Sequence, residues 1–192
     1  MNGWVAEGLT AAARVMLGDG MAARLFDGSR ASVQASFLGL AMAVFMDAGI
    51  ESAAAATIPD ATRGGLFFAL MGLDLAAYAA AVATILVLTR EPEHRARFPA
   101  YLAAINWGSA ALSAAFALPK WILVSMPPVR VEGSSVSGSP LLTITIVMGV
   151  IVASFIAHYR ICHHVLGVSG VRAFWMVVAA IAASATATAV LT

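Results

Sequence analysis

Asp74 is the residue of this chain whose type and position could do chemistry. It lies near the middle of residues 65–89, a run of almost unbroken apolar sequence. An ionised carboxylate at the centre of a bilayer costs at least about 2.5–3.5 kcal/mol, so such a group is protonated, paired or in contact with a wet cavity. The chemistry that this position could support is the uptake and release of a proton or a cation.

Polar residues of the next apolar run fall at the same depth as Asp74. If both runs rise by about 1.5 Å per residue from opposite membrane faces, Asn106 reaches the level of Asp74. Tyr78 lies one turn from Asp74, and Ser109 and Ser113 continue the stripe that begins at Asn106. We predict that Asp74 and Asn106 face each other within reach of a hydrogen bond, either directly or through water.

Two interpretations of this polar cluster are open. In the first, the cluster holds two helices together, since a hydrogen bond in lipid contributes about 0.6–2 kcal/mol. In the second, Asp74 binds and releases a proton or cation during transport. Carriers usually show several buried charges, or broken helices in matching positions of two halves. The sequence offers one midplane acid, no midplane base and no repeat, and it therefore favours the packing interpretation.

Catalytic and metal chemistry is not predicted. Four potential metal ligands lie together near the end of the fourth apolar run: His158, Cys162, His163 and His164. Adjacent residues on a helix point in different directions, so we expect no metal site there. Haem held by two histidines needs imidazoles on different spans, and the other apolar runs contain none. Ser109 has no histidine at matching depth to act as a base, so the chain is interpreted as non-enzymatic and without a cofactor.

The elements that position these residues are apolar helices. Hydrophobic residues make up 61% of the 192 residues and charged residues 11%, whereas soluble domains have roughly 45–50% and about 25%. Apolar runs of about 20 residues cross the roughly 30 Å hydrocarbon layer. We predict an all-α polytopic membrane protein with a bundle of five transmembrane helices, at about 32–54, 65–89, 99–123, 140–162 and 170–192. The longest connection, PPVRVEGSSVSGSP, is predicted to be a surface loop.

The chain divides into an N-terminal segment, 1–30, and the transmembrane domain, 31–192. Apolar residues recur at helical spacing in the first part of the segment, which predicts an amphipathic interfacial helix broken at Gly18-Asp19-Gly20. Trp4 is predicted to anchor this helix at the membrane surface. Lys120 and Trp121 are predicted to anchor the outer end of the third span, with the lysine reaching toward the headgroups.

The Lys and Arg residues predict the orientation. One side of the membrane receives eight of them and the other side three: Arg14, Arg24, Arg30, Arg90, Arg95, Arg97, Arg160 and Arg172 against Arg63, Lys120 and Arg130. By the positive-inside rule the N-terminus is cytoplasmic and, with five spans, the C-terminus is periplasmic. We expect a bacterial inner membrane location. A net charge of +1 gives no electrostatic case for nucleic acid as a partner. The predicted partner is the lipid bilayer, because the chain is dominated by long apolar runs.

Small residues characterise the last span. Ala179, Ala183 and Ala187 recur at every fourth position. Such ribbons allow two helix backbones to approach closely and predict a helix-packing interface. A helix that is small on most faces suits protein neighbours on several sides, so we expect other membrane protein subunits as partners.

Three segments carry a resemblance to known proteins. FDGSRASVQASF (26–37), FPAYLAAINW (98–107) and HYRICHHVLGVSG (158–170) lie in an order that resembles small, uncharacterised five-span membrane proteins of proteobacteria. More distantly, the five-span layout is similar to the Yip1-type membrane domain, although that family's Asp-Leu-Tyr-Gly-Pro sequence is absent. The resemblance implies a membrane helix bundle and no particular activity, and it transfers no functional residues.

The sequence thus favours a non-catalytic accessory or scaffolding subunit that associates with a larger membrane assembly, such as an energy-transducing one. The first alternative is a small proton- or cation-coupled carrier that uses Asp74. The second alternative is a lipid- or quinone-binding protein, because Trp107, Phe116 and Trp175 offer flat apolar surface between spans.

Overall fold

The structure, a computed structural model, describes residues 3–54, 63–125, 128–131, 134–137 and 140–192. Within these ranges the chain forms α1 (Gly3–Met16), a 3₁₀ helix (Gly20–Leu25), α2 (Arg30–Ala54), α3 (Arg63–Leu88), α4 (Pro92–Ala96), α5 (Phe98–Ser125), β1 (Pro128–Val131), β2 (Ser134–Ser137), α6 (Pro140–Val165) and α7 (Gly170–Leu191). Five of the described helices, α2, α3, α5, α6 and α7, are long and apolar enough to cross a membrane. The prediction of five spanning helices is confirmed to this extent, and their ends lie within three residues of the predicted ends.

The longest connection contains secondary structure that the sequence analysis missed. β1 and β2 form an antiparallel hairpin in which Pro128 pairs with Ser137 and Val131 pairs with Ser134. The prediction of a loop rested on its proline, glycine and serine content. Valine in each strand favours extended backbone. Each strand is only four residues long, however, so the sequence signal for the hairpin is weak.

α5 is the central helix of the bundle. Half of the most apolar 18-residue stretch of α5 is buried inside the protein, against 6% of the corresponding stretches of α3 and α6. α2 packs along α5, and α7 packs along α3. The outer helices present large apolar side chains to the surroundings, among them Phe68, Val87, Ile144 and Ile151. This distribution suits a bundle whose outer solvent is hydrocarbon.

The N-terminal helix α1 docks on the bundle. Ala11, Ala12 and Val15 are buried, and they belong to the same hydrophobic cluster as Tyr101 of α5 and Ile161 of α6. The close approach uses Gly8, where an added Cβ would lie 2.6 Å from the ring of Trp107. The predicted amphipathic helix is therefore present, and the segment is packed against the spans by its apolar face.

The end of α1 is fixed by a polar turn at the predicted break. Gly18 adopts a φ of 101°, which favours glycine. The Asp19 carboxylate accepts from the backbone N–H of Met21 at 3.0 Å, which caps the 3₁₀ helix, and from the Arg14 guanidinium at 2.6 Å. The hydrogen bond from Arg14 lowers the pKa of the Asp19 carboxyl below its ordinary value. Arg160 of α6 donates to the carbonyl of Met16, which attaches the turn to the bundle.

Candidate intramembrane polar site

A polar cavity lies between α2, α3, α5 and α6. Its volume is about 200 Å³. Leu40, Val44 and Leu112 form apolar parts of its wall. The polar side chains that line it come from all four helices: Asp47, Asp74, Tyr78, Ser109, Ser113, Ser154 and His158. The cavity thus brings together Asp74, the three predicted hydroxyl-bearing residues and two titratable residues from other helices.

Asp74 is incompletely satisfied in this cavity. Its Oδ2 atom is buried and has no hydrogen-bond partner among the described residues. The charged groups of Glu51, Asp47 and Lys120 act electrostatically on its carboxyl group. Leaving a buried polar atom unbonded costs about 1–3 kcal/mol, so the site favours a proton, a cation or water at this oxygen.

The predicted pairing of Asp74 with Asn106 is not formed as a direct hydrogen bond. The Tyr78 hydroxyl donates to Asn106 Oδ1. Asn106 Nδ2 donates to Ser36 Oγ at 2.8 Å, and the Ser36 hydroxyl donates to the carbonyl of Val33 at 2.7 Å. Asn106 therefore links α5 to both α3 and α2, and the amide is occupied by Tyr78 and Ser36 because α2 packs so closely on α5. The packing role expected of Asp74 belongs to Tyr78.

Lys120 reaches into the bundle. Its ammonium donates to Asp47 Oδ1 at 2.6 Å, and the Ser113 hydroxyl donates to the other carboxylate oxygen at 2.7 Å. About a quarter of each charged side chain remains exposed. Both oxygens of Asp47 are thus bonded, whereas Asp74 Oδ2 has no hydrogen-bond partner among the described residues. The neighbouring Trp121 is half exposed, on the outside of α5.

His158, like Asp47 and Ser154, lines the cavity and was not part of the predicted polar cluster. Its Nδ1 lies 2.8 Å from the carbonyl oxygen of Ser154, which also lines the cavity. Since a carbonyl only accepts, Nδ1 carries the hydrogen, and Nε2 holds a lone pair in the neutral ring. Counting residues from the cytoplasmic side had placed His158 near the inner end of its span. The available signal was the spacing of Ser154 and His158, which are one helical turn apart and share a face.

The remaining residues that were predicted from the sequence lie outside this cavity. Ala179, Ala183 and Ala187 are half-buried on α7, and next to them the Ser184 hydroxyl donates to the carbonyl of Ala77 on α3 at 2.9 Å. Trp4 packs edge to face against Trp107, with ring centroids 5.9 Å apart. Across the described ranges, groups of three or more His, Cys, Asp or Glu placed to hold a metal ion are absent.

His163 and His94 have structural contacts at the other end of the bundle. His163 Nδ1 lies 2.7 Å from the carbonyl of Val168, and His94 Nδ1 lies 2.9 Å from the carbonyl of Leu166. Arg172 donates to Glu91 and, at 3.0 Å, to the carbonyl of Leu88. These bonds join the α3–α5 connection to the α6–α7 connection.

The described residues form a helical bundle in which five helices are long and apolar enough to cross a membrane, with a polar cavity between four of them. Comparison with family models of known proteins, with curated proteins and with solved structures finds no match. The resemblance to five-span proteobacterial proteins and to the Yip1-type domain stays a prediction from the sequence.

Proposed function

We propose that this protein is a small proton- or cation-coupled carrier of the bacterial inner membrane, in which Asp74 binds and releases the coupling ion. The observation that carries the proposal is the buried Asp74 Oδ2 atom, which faces no hydrogen-bond donor among the described residues. A carboxyl group used only for packing would engage both of its oxygens, as Asp47 does.

The neighbours of Asp74 support ion exchange. His158 lines the same cavity and exposes a nitrogen lone pair when its ring is neutral, so it can accept a proton. Ser109 and Ser113 supply hydroxyl oxygens that bond either water or a monovalent cation. A volume of about 200 Å³ holds about six waters at roughly 30 Å³ each. The cavity is therefore large enough for a hydrated path and too small for a large substrate.

The cavity changes the balance between the two sequence interpretations. The packing interpretation rested on one midplane acid, no midplane base and a hydrogen bond between Asp74 and Asn106. Asp47 and His158 line the cavity together with Asp74, Lys120 bonds Asp47, and the direct hydrogen bond from α3 to Asn106 comes from Tyr78. Half-buried ionisable groups collected around one site inside a helix bundle favour an ion pathway. In the proposed orientation the N-terminus is cytoplasmic and the C-terminus periplasmic, as the Lys and Arg distribution favours.

Replacing Asp74 with asparagine tests this function. The purified protein is reconstituted into vesicles that contain a pH-sensitive dye, and proton, Na⁺ or K⁺ gradients are imposed. The wild-type protein is expected to dissipate at least one gradient about tenfold faster than empty vesicles. Asp74→Asn is expected to reduce that flux to the level of empty vesicles, because the amide keeps the shape of the carboxyl group and cannot take up a proton.

Glu93→Gln is the matched control, since this exposed acid lies in α4, outside the cavity. It removes one carboxylate and is expected to keep the wild-type flux. Circular dichroism and gel filtration check that each variant keeps its helical fold. Undiminished flux in Asp74→Asn, or wild-type flux no faster than that of empty vesicles for all three ions, would contradict the proposal.

The second candidate function is an accessory subunit that binds another membrane protein through α7. The observation that favours it is the outward face of α7, where Ala182, Ala185, Thr186 and Ala189 are exposed. The opposite face is occupied by α3 and α6. A helix surface of small residues allows a second helix to approach closely, and larger exposed side chains of α7, among them Trp175, Ile181 and Val190, flank this stretch.

Ala182→Leu tests this second function. In a mild detergent extract the tagged wild-type protein is expected to co-purify with a specific membrane protein, identified by mass spectrometry. A leucine at position 182 is expected to reduce that recovery about fivefold, because it separates the two backbones. Ala69→Leu, at an exposed alanine of α3, is the control and is expected to keep the partner. A wild-type protein that runs as a lone monomer would exclude the accessory role.

A further inference from the structure

A second cavity lies on the surface of the bundle, under α1. It has a volume of about 520 Å³ and lies between α1, the beginning of α2 and α5. We call it the N-terminal groove. The residues that matter for its chemistry are Trp4, Glu7, Ala11, Arg14, Phe26 and Trp107.

One part of the groove is aromatic. Trp4 and Trp107 meet at an interplanar angle of 72°, and Trp4 keeps 39% of its surface exposed. Phe26 is buried at the other side of the groove. Tryptophan rings accept apolar chains by packing, and their faces attract organic cations. The groove thus has surface for hydrocarbon and for an ammonium group.

The groove also carries two opposite charges. Glu7 and Arg14 are seven residues apart on α1, so they share a face and their Cα atoms are about 10 Å apart along the axis. Glu7 is exposed and makes no hydrogen bond or ion pair with another described residue. Arg14 bonds Asp19 through Nε and Nη2, which keeps its side chain ordered and leaves Nη1 for a second anion. An acid and a base at this separation match a ligand with both charges.

We propose that the N-terminal groove binds one zwitterionic aminophospholipid. Its ammonium group contacts Glu7 and the face of Trp4, and its phosphate accepts from Arg14. An acyl chain lies over Leu25, which lines the groove and is 61% exposed. A lipid fits better than a soluble zwitterion because most of the remaining groove lining is apolar, and because the groove opens on the outside of a bundle of membrane-spanning helices. The proposal does not depend on transport by Asp74.

Native mass spectrometry of the full-length protein in detergent tests this binding. The delipidated protein is mixed with equal amounts of dioleoyl phosphatidylethanolamine and dioleoyl phosphatidylglycerol, which differ in the ammonium group. We expect one retained lipid, with phosphatidylethanolamine preferred about fivefold or more. Glu7→Gln is expected to reduce the preference to about one, because the amide cannot pair with the ammonium. Glu93→Gln, an acid outside the groove, is expected to keep the preference.

A second measurement locates the lipid. Phosphatidylethanolamine with brominated acyl chains quenches nearby tryptophans, and Trp4→Phe is expected to remove a large part of the quenching, while Trp175→Phe on α7 is expected to remove little. Equal retention of the two lipids by the wild-type protein, or an unchanged preference in Glu7→Gln, would overturn the proposal. Quenching that depends on Trp175 and not on Trp4 would also overturn it.

Discussion

Gly39→Ala is expected to lower the free energy of unfolding by about 1–3 kcal/mol, the usual range for an overpacked interior. A Cβ atom at position 39 of α2 would lie 2.9 Å from the backbone oxygen of Asn106 and 2.8 Å from Cε3 of Trp107. The first of these atoms belongs to the backbone of α5 and cannot rotate away. The two helices would separate, and the bond between Asn106 and Ser36, one turn from Gly39, would lengthen.

The matched control is Gly49→Ala on the same helix. A Cβ at position 49 meets no atom within 4 Å, so alanine there is expected to leave stability unchanged or to raise it by up to about 1 kcal/mol through helix propensity. Unfolding by a graded series of denaturing detergent, followed by circular dichroism, measures both variants. Equal stabilities of Gly39→Ala and Gly49→Ala would contradict the close approach of α2 and α5 at Gly39.

The five helices that are long and apolar enough to cross a membrane could be predicted from the sequence, because each is a long apolar run. Which of these helices pack against each other could not be predicted from the sequence. The prediction made α3 the partner of Asn106, since short connections favour antiparallel neighbours. The structure places α2 and α3 on either side of that amide. The reason is Gly39, which lets α2 approach the backbone of α5, and one glycine in a glycine-rich sequence is a weak signal.

The candidate site was predicted in part. Asp74 stands out because a carboxylate is rare inside an apolar run, and Ser109 and Ser113 follow from helical spacing; all three line the cavity. His158 and Lys120 were not assigned to the site, because counting residues along the spans puts each of them near the end of its span. That count assumes straight helices perpendicular to the membrane and side chains that stay at the level of their own Cα. The count also does not indicate partners in other helices, such as Asp47, which the long side chain of Lys120 reaches.

Lys120→Met is also expected to lower the free energy of unfolding strongly. Methionine keeps the length of the side chain and removes the ammonium group, which leaves the Asp47 carboxylate with Ser113 as its remaining hydrogen-bond donor among the described residues. Removing one partner of a fully buried ion pair costs about 3–5 kcal/mol. About a quarter of each side chain is exposed here, so we expect a loss of about 2–3 kcal/mol, measured by the same detergent unfolding.

The double variant Asp47→Asn with Lys120→Met separates the ion pair from simple loss of packing. Asparagine still accepts a hydrogen bond from Ser113 and carries no charge, so the uncompensated carboxylate is gone. We expect the double variant to regain at least half of the stability lost in Lys120→Met, since replacing both members of a buried pair costs less than removing one. If the double variant is as unstable as the single one, the ammonium group stabilises the bundle through some contact other than Asp47. Recovery would show that the cavity holds one compensated carboxylate, which leaves Asp74 as the acid free to exchange its ion.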